Sequence, residues 1–180
     1  MAKDAPAEAR PILGPDGVHM LRTVMSIQYQ LSQMADQKAN MLLAATFVIF
    51  TLTVGQFRAG APMVPLMILA AAAFLSALLA ILAVLPSVST PPRADGPGNV
   101  LFFGSFTQLP EAEFVDMLTG IAEDQRATYE TITHDIYQNG RVLAFKKYRF
   151  IGYAYRILFV GLVASFVAFV VHFARLMLAA

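Results

Sequence analysis

Few side chains in this 180-residue chain could carry covalent or acid–base chemistry. Of the histidines, His19 and His134 fall on one side of the expected membrane spans and His172 at the far end of the last, so the three do not share a site. His134 and Asp135 are neighbours, and on a helix adjacent residues point to different faces, so they make a poor dyad. No cysteine is present, which removes thiolate catalysis, disulfides and lipidation on sulfur. No H-E-x-x-H, G-x-S-x-G, phosphate-loop or dinucleotide fingerprint occurs. The expectation is a protein that is not an enzyme and carries no metal or cofactor. A binding chemistry is better supplied. Arg126, Arg141 and Lys147 offer cations for a phosphate, and Phe102, Phe103 and Tyr148 offer rings for a base. Spacing alone does not select that reading, because Lys146, Lys147 and Arg149 serve equally as membrane-topology anchors. Nothing points to nucleic acid as a partner.

A second cluster is the stretch SQMADQKANMLLAATFVIF (32–50), where Asp36 and Lys38 stand just before a long apolar run. Two residues apart on a helix, they do not face each other. Lys38 can extend to lipid headgroups, whereas Asp36 beside an anionic leaflet requires a cation. The cations at the start of the last apolar run, Lys146, Lys147 and Arg149, are candidates, with Tyr148 among them. Asp36 would then latch the two runs together. The other reading is two unrelated interfacial charges, since an isolated surface pair contributes only ~0–1 kcal/mol.

The elements that must position these residues are membrane spans. The chain is 57% hydrophobic, with mean hydropathy +0.60, too apolar for a soluble domain of this size. No charged residue stands between Lys38 and Arg58, between Arg58 and Arg93, or between Arg156 and Arg175. A helix crosses a bilayer with about twenty apolar residues, so three spans are expected, over roughly 40–57, 63–85 and 155–176. The first begins too late for a signal peptide. The short RAGAP turn (58–62) makes the first two a hairpin, which puts 86–149 on the N-terminal side. That side carries Arg22, Lys38, Arg93, Arg126, Arg141, Lys146, Lys147 and Arg149, against Arg58 and Arg175 opposite. The positive-inside rule then gives N-in and C-out across an inner membrane. The expected fold is an all-α membrane protein with a helical cytoplasmic module between spans two and three.

Along the chain, residues 1–17 are rich in Pro, Gly and charge and are expected to be disordered. Met20, Val24, Ile27, Leu31 and Met34 form a two-heptad apolar seam leading unbroken into the first span, so one helix over 18–57 is expected. A Pro/Gly-rich linker follows the second span (63–85) and opens the region 86–149. VLFFGSF (100–106) is short and aromatic, suited to a strand or extended segment. Pro110, Glu111 and Glu113 start a helix that Gly120 ends or loosens. Tyr129, Ile132, Ile136, Asn139 and Leu143 make a second seam, with Asn139-Gly140 a candidate break before the third span (150–177). Small residues recur at Ala72, Ser76 and Ala80, and at Gly161 and Ser165. Such stripes pack helices within one chain or between copies. In the second case Thr46, Thr51 and Thr53 would line a wet path. No Asp, Glu or Lys lies deep in a span, which disfavours ion-coupled transport.

The segments ADQKANMLL (35–43), VLP at the end of span two, NVLFFGSF (99–106), LPEAEFVDML (109–118) and FKKYRFIGYAY (145–155) resemble the Pycsar effector family. The resemblance covers about 18–175. It implies an anti-phage membrane effector whose partner is a pyrimidine cyclase, acting through its product, cyclic CMP or cyclic UMP, as the activating ligand. Loss of membrane integrity and abortive infection follow. Asp36, Lys38, Asn99, Phe102, Phe103, Gly104 and Tyr148 match the family pattern. The candidate ligand set is therefore Lys38, Asn99, Phe102, Phe103, Arg126, Arg141, Lys147 and Tyr148, and the candidate gating set is Asp36, Lys38, Lys146 and Lys147. Expected partners are the lipid bilayer and further copies of the chain. The rival reading is a constitutive scaffolding membrane protein that docks a cytoplasmic partner through its heptad-like helices.

Overall fold

The computed structural model describes residues 14–59, 62–85 and 99–179. The expected disorder of the N-terminus falls mostly outside these residues, as do the linker over 86–98 and the middle of the RAGAP turn. The described residues are helical, with no strand among them. The order is α1 (Pro15–Arg58), α2 (Met63–Val84), α3 (Phe103–Phe106), α4 (Glu111–Glu123) and α5 (Gln125–Val142). A π-helical segment (Leu143–Tyr148) then leads into α6 (Arg149–Ala179). Three of the helical stretches are long and apolar enough to cross a membrane: those within α1, in α2, and in the run ending at α6. The chain divides into two compact units. One holds the described residues up to Gln28 and those from Asn99 to Asn139; the other holds those from Tyr29 to Leu85 and from Gly140 onward.

The second unit contains the spans. In lipid, burying apolar surface gives helices no advantage over lipid contact, so close approach and hydrogen bonds must hold them. The contact faces are accordingly built from small residues. α1 contributes Ala35, Ala39, Leu42, Thr46 and Thr53, and α2 contributes Ala72, Ala73, Ser76, Ala80 and Ala83, all buried. α6 contributes Ile151, Ala154, Gly161 and Ser165. Leu42, Ala80 and Ala154 meet in one cluster; Ala35, Ala39, Ala83 and Ile151 meet in another. α2 therefore runs antiparallel to both α1 and α6. Two hydroxyls tie α2 to α6: Ser76 Oγ donates to the Ala154 carbonyl at 2.9 Å, and Ser165 Oγ to the Pro65 carbonyl at 2.8 Å. Between these bonds Gly161 sits so close to Ala72 that an added Cβ would meet the Ala72 methyl at 2.0 Å.

The small-residue stripes are thus filled inside one chain. Of the threonines, Thr46 and Thr53 are buried within the protomer and Thr51 is exposed. Thr46 Oγ1 donates to the Leu42 and Leu43 carbonyls and Thr53 Oγ1 to that of Ile49. Each hydroxyl is turned back on its own helix, a common resort where no water is at hand.

The first unit corrects several expectations. Residues 100–106 are not extended: Asn99 opens a turn and α3 is a single helical turn. The Asn99 side chain decides this, since its Oδ1 accepts the Leu101 N–H at 3.0 Å while its carbonyl accepts the Phe102 N–H at 3.1 Å. That is the Asx geometry that competes with a strand. Gly120 lies within α4 and does not end it. Asp124 does, leaving helical dihedrals and using its carboxylate to accept the Arg126 N–H at 2.8 Å as the cap of α5. Asn139-Gly140 is not a break either; the irregularity comes later, as the π segment. The seam on α1 is also displaced. Leu21 and Ala35 are buried, with Gln28 and Ser32 half-buried between them, while Met20, Ile27, Leu31 and Met34 are exposed.

Gly161→Ala is expected to lower stability by about 1–3 kcal/mol, the cost of forcing a methyl into a filled contact. Thermal loss of helicity in detergent measures it, and Ala72→Gly in the same chain is expected to restore most of the loss.

Candidate functional site

The expected latch residues are brought together in the spanning unit. Lys147 Nζ lies 2.7 Å from Asp36 Oδ1 and 2.8 Å from Oδ2, and donates a third hydrogen bond to Ser32 Oγ at 2.8 Å. All three ammonium protons are therefore used on α1. The side chains are 19% and 43% exposed, so the pair is screened by solvent only in part. Tyr148 Oη donates to the carbonyl of Leu31, five residues before Asp36, at 3.1 Å. Lys38 does not join the pair; its ammonium lies 5.7 Å from the Tyr148 ring centroid, a cation–π contact. Lys146 reaches elsewhere, to the Leu85 carbonyl at 2.7 Å, where it satisfies an orphan acceptor at the C-terminal end of α2.

Three consecutive side chains, Lys146, Lys147 and Tyr148, thus hold two other helices. An α-helix turns its side chains through about 100° per residue. The wider i→i+5 turn of a π segment narrows the arc between successive residues. Leu143–Tyr148 is π-helical where these contacts are made. The sequence signals the cluster of cations but not this change of pitch, because the preference is set by the contacts and not by the local residues. Ser32 was not a candidate, although it stands four residues before Asp36, one turn away on the same face.

Asn99, Phe102, Phe103 and Arg126 belong to the first unit, and Lys38, Arg141, Lys147 and Tyr148 to the second. Asn99 is buried, and both ends of its amide are engaged: Nδ2 donates one hydrogen bond to Asp135 Oδ1 at 2.6 Å while Oδ1 accepts the Leu101 N–H. Asn139 Nδ2 donates to the other Asp135 oxygen at 2.9 Å. Asp135, only 8% exposed, is the residue that sequence reasoning missed. Its signal was its place four residues before Asn139, the polar member of the second seam. His134 instead meets Gln138, with Nε2 atoms 2.6 Å apart, so His134 and Asp135 form no dyad. The Phe102 and Phe103 rings pack at 4.9 Å. Phe102 also covers Gly104, where an added Cβ would stand 2.5 Å from the ring. The motif N-V-L-F-F-G is therefore a structural unit: an Asx turn, a ring, and the glycine that makes room for it.

Of the remaining cations, Arg126 is engaged by Glu130, Nε to Oε1 at 2.9 Å, and that hydrogen bond raises its pKa above the ordinary value. Arg141 is exposed. In the spanning unit a groove of about 330 Å³ between α1 and α2 is lined by Leu43, Phe47, Phe50, Phe74 and their neighbours. Its one hydroxyl, on Thr46, faces its own helix carbonyls, so it offers a nucleotide no polar contact.

Residues 19–173 match the family model described as the Pycsar effector protein domain. The chain belongs to that family. No curated protein and no solved structure matches it. The chain is accordingly a multi-pass membrane effector of anti-phage defence, and the family segments quoted from its sequence fall on α1, at the end of α2, on the Asn99 motif, at the start of α4, and across the π segment into α6.

Asp135→Ala would leave the buried Asn99 amide without its acceptor and remove a second bond to the exposed Asn139, a loss of about 1–3 kcal/mol. Amide exchange over 99–106 is expected to quicken by roughly tenfold or more, whereas Asp135→Asn, which keeps one acceptor oxygen, should change it less.

Proposed function

We propose that this Pycsar effector lies in the inner membrane, with the N-terminus and the 86–149 region cytoplasmic. There it impairs the membrane, as an oligomer, when a cyclase raises cyclic CMP or cyclic UMP, and abortive infection results. What supports this beyond family membership is the Lys147–Asp36–Ser32 contact, which fastens α1 to the start of α6 where both turn apolar. A contact at that point is suited to resist a change in how the two spans lie against each other. The exposed cations and rings are the groups left to meet a phosphate and a base. Lys38 with Tyr148, Arg141 and the exposed Phe103 are the better candidates. Asn99 serves as a positioning residue, because it is buried and its amide oxygen and one N–H already bond within the chain.

Magnitudes assign the parts. A partly exposed ion pair contributes up to about 1 kcal/mol, roughly fivefold in a two-state equilibrium. A near-complete switch needs about 5.5 kcal/mol of differential ligand affinity. The latch therefore sets the threshold and the ligand drives the change. A scaffolding role is favoured by one observation, the exposed apolar seam on α1; that role predicts no response to a cyclase.

Membrane potential, read with a dye in cells expressing the chain, tests the proposal. Collapse is expected with an active pyrimidine cyclase and not with a catalytically dead one. Asp36→Ala is expected to lower the cyclase level required by about fivefold. If the potential holds at every cyclase level while the protein is in the membrane, the gated-effector reading fails.

A further inference from the structure

The residues most out of keeping with their surroundings lie on α1 ahead of its apolar span. Met20, Ile27, Leu31 and Met34 are 57%, 48%, 38% and 46% exposed, with Val24 half-buried among them. Their spacing of four, three, four and three places them on one stripe of a single unbroken helix, the a/d pattern that a second helix fills with its own knobs. The protomer packs α1 by a different face, through Leu21, Ala35, Ala39 and Leu42. The small-residue stripes of α2 and α6 are filled within the chain, so they leave no surface for association.

The chemistry of the flank says what covers the stripe. From Thr23 through Ala35 α1 has no charged residue. The exposed positions beside the stripe are Thr23, Gln30 and Gln37. A partner of opposite charge would find nothing to read there. Arg22 and Asp36 each stand two residues after a stripe methionine, on the side of the helix away from it, so an identical helix would meet no like charge along the stripe itself. Each glutamine amide carries both a donor and an acceptor and can pair with its own copy. Spans that insert in one orientation also bring copies together in parallel. Two heptads are marginal as a coiled coil in free solution, but confinement to a membrane raises their effective concentration.

We infer that Met20, Val24, Ile27, Leu31 and Met34 form a parallel helix–helix interface with a second copy of this chain. This deepens the oligomer named under the proposed function and rests on it. It places the seam on α1 ahead of the apolar span and not between the lipid-facing helix surfaces.

The absence of native cysteine makes the test direct. In membranes holding the full chain, copper–phenanthroline oxidation of Ile27→Cys and Leu31→Cys is expected to give a species of twice the chain's mass. The yield should be at least tenfold above that of Gln33→Cys, which is exposed but lies away from the stripe. Adding Met34→Lys to Ile27→Cys should cut that yield about tenfold without changing the amount of protein in the membrane. Equal yields at all three positions, no linked species, or a product of another mass would each overturn the interface. Scoring depolarisation by cyclase in the same cells separates the two proposals. Depolarisation without stripe crosslinks removes only the interface; crosslinks without depolarisation leave the interface and remove the signalling reading.

Discussion

Helices in lipid gain little by hiding apolar surface from one another, so what holds α2 to α6 is how near their backbones come, and Gly161 lies so close to Ala72 that no methyl group fits between them. The Ser76 and Ser165 bonds on either side depend on that approach, because a side-chain hydroxyl reaches a neighbouring carbonyl only when the two axes are close. The Ala80–Leu42–Ala154 cluster carries the same closeness to α1. The latch in turn depends on it: Lys147 finds Asp36 because Ala35, Ala39 and Ile151 have already set α1 beside the start of α6. An ion pair of modest strength thus acts on a geometry that it does not create.

The spans were legible because charge exclusion is a long-range, one-dimensional signal. The gaps from Lys38 to Arg58 and from Arg58 to Arg93 leave few other readings. The pairing of Asp36 with a cation at the start of the last span was legible as one of two alternatives, from the cost of leaving a carboxylate unpartnered. Which cation it would be was not. Lys146 and Lys147 are the same residue type side by side on a helix that points them to different sides, one to Leu85 and the other to Asp36, and residue type does not say which is which.

The Asn99 motif was misread for a related reason. Aromatic, Gly-bounded residues suit a strand by propensity, but propensity yields to a local hydrogen bond that closes a turn. Asn99 makes that bond only because Asp135, far along the chain, fixes its amide. A buried carboxylate with two amide donors carries more weight than β preference, and no window of local sequence contains both partners. The result alters how the motif reads: Asn99 is buried and uses its amide oxygen and one N–H within the chain, so it positions its neighbours.

The seam on α1 shows the limit of pattern reading most clearly. Apolar residues at heptad spacing are the usual mark of a buried face, and here the eye picks Met20, Ile27, Leu31 and Met34. The face that the protomer buries runs about a quarter turn away, through Leu21, Gln28, Ser32, Ala35, Ala39 and Leu42, small and partly polar. Both faces repeat every seven residues, so periodicity cannot rank them. What ranks them is the depth of contact required. Near the spans the helices must touch backbone to backbone, and alanine and serine allow that where methionine and leucine do not. Gln28, which donates to the Ile136 carbonyl at 2.9 Å, continues the inner face by a hydrogen bond where the alanines stop. A helix with one periodic face filled within its own chain and a second, larger-residue face exposed has packing capacity that a single protomer does not use.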